Sequence, residues 1–331
     1  MRLWKIIATA TVVEIAVGAA SAALLGLGGA WSGWLDLLNQ VAPLWFGLCI
    51  LSAPCAAALL APGRARQAVT GFAVLGALVS GWTVLPELVS GALSMANAKP
   101  GPHVLRIVSF NTWSDNTDPD ATARRLRDAD PDAAALIEMS WAMIHRELKR
   151  LAPQLPYRTI PRRGCPADIQ LLSKRPFTTY GCQISYDLHQ PWVLSTIVWG
   201  RTTGADGRPF TLATTHYSWP FPGAGQTRQR ASLVRWAKAH EGEDLVLSGD
   251  FNLTPWSAAL HQQDAALRPL TRRDHAVFTW PATIARLNKP APFAVLPIDH
   301  IYAAPVWRTV DVRRLARAGS DHYGIEAVLR R

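Results

Sequence analysis

Three short acid-bearing runs hold the chemistry of this chain: Ser248-Gly249-Asp250-Phe251-Asn252, Ile298-Asp299-His300 and Ser320-Asp321-His322. The first follows the apolar run Leu245-Val246-Leu247, and the second precedes Ile301-Tyr302. Each pattern sets a carboxylate, amide or imidazole at the edge of a buried strand. Such groups are costly to desolvate unless they meet a metal, a hydrogen-bond partner or a substrate. Several of them in one cleft would form a hard-cation site suited to phosphate chemistry. Asp250 and Asn252 stand two apart in extended chain and share a side. His300, beside Asp299, points to the opposite side and is left out of the site.

Further upstream, Ser109-Phe110-Asn111-Thr112-Trp113 and Leu136-Ile137-Glu138 close apolar runs, and Thr215-His216-Tyr217 follows a middle one. In this order the six motifs resemble those of the endonuclease/exonuclease/phosphatase superfamily, metal-dependent phosphohydrolases that share a fold with DNase I. The resemblance runs from about His103 to Arg331. It implies an α/β fold, a four-layer α/β/β/α sandwich. It also implies roles. Glu138 would bind an essential Mg²⁺ or Mn²⁺, with Asn111 and Asp321 beside it. Asp250 would orient or deprotonate the attacking water, and Asn252 would hold a phosphoryl oxygen. Asp299 would orient the catalytic His322, and His216 would donate to the phosphoryl group. Plainer readings stand next to these: Glu138 as a capping acid for a helix starting at Ser140, and Asp250 or Asn252 as turn caps. His103, His145, His189, His240, His261 and His275 read as packed or solvated. Many nuclease members place a further mid-domain polar residue on the phosphate. Asp168 and Gln170 are candidates without a strong claim.

The elements that must position these residues follow from patterning. Val104–Phe110, Ala133–Ile137, Ile169–Ser173, Val193–Trp199, Phe210–Thr215 and Leu245–Leu247 read as strands. Asp118–Asp130, Trp141–Leu151 and Gln226–His240 read as helices. Strands both in runs and between helices suggest two packed sheets with helices outside. The stretch Ile169 to Phe177 reads as strand, turn and returning strand, flanked by Cys165 and Cys182. Those cysteines could be a disulfide or two free thiols. The sequence carries no P-loop or Rossmann glycine fingerprint and no internal repeat.

Hydrophobic residues make up 49% of the 331 and concentrate before Lys99. Ile15–Leu35, Leu37–Gly63 and Gln67–Pro86 contain no charged side chain and reach the roughly 20 residues of a membrane-spanning helix. Arg2 and Lys5 before an apolar run also resemble a signal peptide, but two further long apolar segments favour an uncleaved first helix. The expected domains are a membrane part (1–95), a linker (96–102) and a catalytic part (103–331). Arg2 and Lys5 precede the first span and Arg64 and Arg66 separate the second from the third. The positive-inside rule then expects a multi-pass cell-membrane protein with its catalytic part extracytoplasmic.

The net charge of +10 suits a phosphate-bearing partner or an anionic membrane surface without choosing between them. The segment Tyr217-Ser218-Trp219-Pro220-Phe221-Pro222-Gly223 would suit an interfacial loop or stacking on unpaired bases, with Arg228 and Arg230 able to meet phosphate. The membrane helices tilt the expectation to a lipid-linked or membrane-proximal substrate. An extracytoplasmic nuclease is the alternative, and a non-catalytic binding domain a minor one.

Overall fold

Apolar stretches too long for a soluble core become helices at the N-terminus. The computed structural model describes residues 3–96, 104–161, 164–186, 194–221 and 225–331. It has α1 (Leu3–Gly26), α2 (Gly33–Asn39), α3 (Ala42–Leu59) and α4 (Arg64–Ala96). Three spans, Leu3–Ala30, Ala42–Leu59 and Arg64–Leu93, are long and apolar enough to cross a membrane. The first therefore lies further N-terminal than Ile15–Leu35. Residues beyond Gly26 form a 3₁₀ turn, Leu27–Ala30, and the short α2 instead. The Asn39 amide stops α1 there by donating to the Gly26 carbonyl at 2.9 Å. Arg2 and the linker lie outside the described residues, apart from Ala96.

The helices pack through small residues. Ala16, Ala19, Ala20, Cys49 and Ala56 are buried, and a Cβ on Gly76 would lie 2.6 Å from the Ala20 Cα. Such close backbone approach lets apolar helices gain dispersion contact, as membrane helices do. This first compact unit also takes in Thr254–Gln262. There Asp36, buried, accepts from the Ala258 and Ala259 amides at 2.7 and 3.0 Å, and Gln40 Oε1 accepts from the Thr254 amide at 3.0 Å.

The second unit is built on two mixed six-stranded sheets packed with helices outside, the four-layer sandwich. One sheet runs β13-β14-β1-β2-β4-β3: Arg308–Arg314, Ile325–Arg330, Val104–Asn111, Ala133–Ile137, Gln170–Ser173 and Tyr157–Arg158. The other runs β5-β6-β7-β8-β12-β9: Thr179–Tyr186, Leu194–Thr203, Pro209–His216, Leu245–Asp250, Asp299–Ala303 and Thr271–Arg272. The helices of this unit are α5 (Pro119–Ala129), α6 (Leu148–Leu151) and α7 (Gly225–Ala239), while α8 (Ala258–Ala266) begins in the first unit and ends in this one. Asp118 caps α5 by accepting from the Ala121 amide, as its Asp-Pro opening predicts. The helix expected from Trp141 carries a π turn, Met143–Glu147, before α6.

One expectation fails here. The segment Ile169 to Phe177 is not a hairpin: β4 pairs with β2 and β3, and the next strand, β5, pairs with β6 in the other sheet. Pro176 has no amide to continue a ladder. The Thr178 amide instead donates to the Arg201 carbonyl at 2.8 Å, at the far layer. Cys165 and Cys182 do form a disulfide, which ties the approach to β4 to the edge strand β5.

Candidate active site

Strand register gathers the site before any side chain is considered. In the second sheet the parallel pair β7 and β8 sets His216 opposite Asp250, and the antiparallel pair β8 and β12 sets Asp299 opposite Asp250. In the first sheet β1 and β2 run parallel, Asn111 beside Ile137, so that Glu138 follows at the same end. Five strand-end positions, Asn111, Glu138, His216, Asp250 and Asp299, thus come together at one cleft. Gly249 is required for that register, because a Cβ there would meet the Thr215 carbonyl oxygen at 2.2 Å. The Ser320 hydroxyl donates to the Asn111 carbonyl at 2.7 Å and accepts from the His322 amide at 3.0 Å, docking the third acid-bearing motif on β1.

Within the cleft the polar groups interlock. Both donors of the Asn111 amide are used, on Glu138 Oε1 and Asp250 Oδ2, each at 3.0 Å. His216 Nε2 lies 3.2 Å from Glu138 Oε1 and 3.7 Å from Asp250 Oδ2. His322 Nδ1 is 2.9 Å from Asp299 Oδ2, while its Nε2 stands 3.6 Å from Asp250 Oδ2. Asn252 donates from Nδ2 to the Tyr217 carbonyl at 2.7 Å, which leaves one amide hydrogen for another acceptor.

Burial sets the protonation states. It pushes the Asp250 carboxyl up to about 6, against the pull of His322 and His216. Burial alone would lower the His322 imidazole, but the carboxylates of Asp299 and Asp250 outweigh it and push it up to about 10. At neutral pH the pair is therefore carboxylate and imidazolium. Burial also raises Asp321 above the usual carboxylate range.

The donor set fits a hard cation. Ligand atoms of Glu138, His216 and Asp250 all lie within 4.8 Å of one another, as do those of Asp250, Asp299 and His322. Buried oxygens Asp299 Oδ1 and Asp321 Oδ1 have no hydrogen-bond partner, and an uncompensated carboxylate oxygen is what a divalent ion would satisfy. Asp321 turns its other oxygen to the Trp280 indole N–H at 3.2 Å.

The cleft holds about 350 Å³ and is walled by Trp113, Trp219 and Trp280. Trp219 meets Trp280 edge-on at 5.4 Å. Asn111, Glu138, His216, Asp250, Asn252, Asp299, Asp321 and His322, the residues singled out from sequence, converge here. Arg228 and Arg230 do not line the cleft. Their helix, α7, presents Gln229 instead, whose Oε1 accepts from the Ser218 amide at 2.8 Å. Phe221 is exposed but outside the lining, Pro222 and Gly223 lie outside the described residues, and neither Asp168 nor Gln170 reaches the cleft. Sequence reasoning missed Trp280 and Gln229. The only signal for Trp280 was an aromatic beside proline in a stretch without acids.

The model of the Endonuclease/Exonuclease/phosphatase family matches residues 108–322. No curated protein matches the sequence. Among solved structures, a family protein from Bacteroides vulgatus aligns with TM-score 0.54 at 19% identity, over 68% of this chain and 98% of that one. TDP2 from D. rerio, complexed with single strand DNA product, aligns at 0.53 and 18%, over 69% and 99%. A mannosyl-6-phosphatase from Bacteroides thetaiotaomicron aligns at 0.50 and 16%, over 68% and 99%. At these identities the neighbours show the fold. The family match spans well over half the chain and both ends of the cleft, from β1 to His322. This chain belongs to the Endonuclease/Exonuclease/phosphatase family, hydrolases that cleave phosphoester bonds and typically use divalent metals.

Proposed function

We propose that the chain is a membrane-anchored phosphohydrolase that uses Mg²⁺ or Mn²⁺ and cleaves a lipid-linked or membrane-proximal phosphoester or pyrophosphate at the outer face of the membrane. The observation that carries the chemistry is the His322 ring held between the Asp299 and Asp250 carboxylates, a setting that favours its protonated form. Glu138, Asn111 and Asp321 would hold the cation, which supplies charge neutralisation on the phosphoryl oxygens and the leaving oxygen. Asp250, ionised above about 6, accepts a proton from water as the water oxygen bonds to phosphorus and the phosphorus–oxygen bond to the leaving group breaks. His322 donates from Nε2 to a phosphoryl oxygen, and Asp299 holds its Nδ1–H so that the ring keeps that orientation. His216 and the free Asn252 amide hydrogen meet the remaining oxygens. A ring already favoured as imidazolium by Asp299 and Asp250 would meet the developing charge with its donor in place.

Three helices long and apolar enough to cross a membrane support the membrane-proximal substrate. So does Trp219, 46% exposed at the cleft mouth, and Phe221, 68% exposed four residues after Tyr217. The aromatic walls would equally stack unpaired bases, which keeps a nuclease as the second reading. The test is hydrolysis by the purified full chain in detergent with Mg²⁺, comparing polyprenyl pyrophosphate, phospholipid and single-stranded DNA. Cleavage of DNA alone would turn the assignment to the nuclease. Full activity in chelator after thorough metal removal would end the metal mechanism.

A further inference from the structure

Between Asp274 and Asp299 the chain has no acidic residue, yet it carries Arg286 and Lys289. The middle of this run folds as a hairpin of β10 (Thr283–Ile284) and β11 (Lys289–Pro290), joined through a 3₁₀ turn, Ala285–Leu287, and Asn288 at φ 46°. Its foot is bonded to the loop that carries Asp321. The Ala282 amide donates to the Asp321 carbonyl at 2.6 Å, and the Thr283 hydroxyl to the Ser320 carbonyl at 2.9 Å. Its tip and the loop that follows are apolar and uncovered: Ile284 is 39% exposed, Leu287 61%, Phe293 67% and Val295 44%. Arg286 and Lys289 are exposed among them. Apolar side chains grouped this way on a surface mark a contact site.

We infer that this hairpin and the Phe293 loop form a second membrane contact, seated in the headgroup layer of an anionic lipid surface. The charge pattern decides the occupant. Apolar tips flanked by cations, with no acid in the run, match a surface that offers acyl chains beneath phosphates. A second copy docking through the same patch would bring Arg286 and Lys289 against their own like charges. The inference rests on the membrane anchorage proposed above and is independent of which phosphate is cut. Because the hairpin foot is bonded to the Ser320–Asp321 loop, seating the tip would also steady that loop.

The test uses the full chain in vesicles of phosphatidylcholine, with or without phosphatidylglycerol, containing nitroxide-bearing lipid. Leu287→Cys or Phe293→Cys is labelled with a fluorophore in a background where Cys49 and Cys55 are Ser, with Asp128→Cys as the comparison. Labels at 287 and 293 should be quenched by the lipid nitroxide, more strongly with phosphatidylglycerol, and the label at 128 far less. Arg286→Glu with Lys289→Glu should abolish the phosphatidylglycerol increment. Labels at 287 and 293 no more quenched than at 128 would overturn the inference, as would shielding that depends on protein concentration and persists in detergent, the mark of a protein partner. Hydrolysis of a soluble phosphoester is measured on the same samples. Unquenched labels on an active enzyme remove the membrane contact alone, whereas quenched labels on a chain that hydrolyses nothing remove the proposed activity alone.

Discussion

Glu138 carries its carboxylate on a left-handed backbone, φ 51°, and Asn252 and Trp113 nearby do the same at 47° and 61°. For residues with a Cβ that conformation costs roughly 1–2 kcal/mol, and it persists where surrounding structure over-determines it. Glu138→Gly should therefore leave stability level or raised by about 1 kcal/mol in the metal-free protein while activity is lost, as thermal melts with chelator beside rate assays would show. Glu138→Gln keeps the strain and drops the charge, and turnover should fall by about 10² or more with weaker metal binding by titration calorimetry. The pH profile follows from the two shifted groups. Asp250 acts as carboxylate, so kcat/KM should rise as pH climbs through about 6; His322 acts as imidazolium, so the rate should fall only as pH nears about 10. A profile already flat at pH 4 would remove Asp250 as the base. These acids were legible in the sequence because charge at the end of an apolar run has few structural uses. Trp280 and Gln229 were not, since nothing in an isolated Trp or a helical Gln says which way it faces.

At the level of elements, β12 serves both faces of its sheet. Asp299 faces the cleft, while His300, fully buried on the other side, has Nδ1 2.6 Å from Asp274 and Nε2 2.8 Å from the Leu253 carbonyl, one residue past Asn252. The alternation of a strand predicts that division, and it justified leaving His300 out of the site. The pair is nonetheless part of what holds the loop. His300→Phe would take one partner from the buried Asp274 carboxylate and leave it the Ile301 amide and Arg272, a loss of about 1–3 kcal/mol; urea unfolding should register it, and the Asp250 loop should gain amide exchange. Strand β2 was readable to the residue and helix α5 to within one residue at each end, because capping and an unbroken apolar run are local signals. The transfer of β5 to the opposite sheet was not readable. It depends on which strand edge lies free across the sandwich, a property of the assembled layers rather than of Arg175-Pro176-Phe177.

For the whole molecule, the four-layer class and the apolar helices were legible from alternating patterns and from the absence of charge, whereas the starts of the spans were not. Lys5 and Glu14 sit inside α1 because the helix extends beyond its uncharged stretch. The basic flanks Arg2, Lys5, Arg64 and Arg66 carry the expected orientation, by which a phosphatase-type reporter fused after Arg331 should be active in a bacterial host. A reporter active only in the cytoplasm would reverse it. The Cys165–Cys182 bridge, its ends 17 positions apart in sequence, should contribute about 3 kcal/mol by the chain-entropy account, so Cys165→Ser with Cys182→Ser should lower the melting temperature and leave the cleft chemistry intact. The same bond gives the chain a birthday. A catalytic unit delivered to an oxidising compartment matures by closing it, while one stranded among cytosolic reductants stays an unfinished, more easily unfolded intermediate. Quality control that degrades such intermediates would then leave in the membrane only copies inserted the right way round, an orientation check written in sulfur rather than in charge.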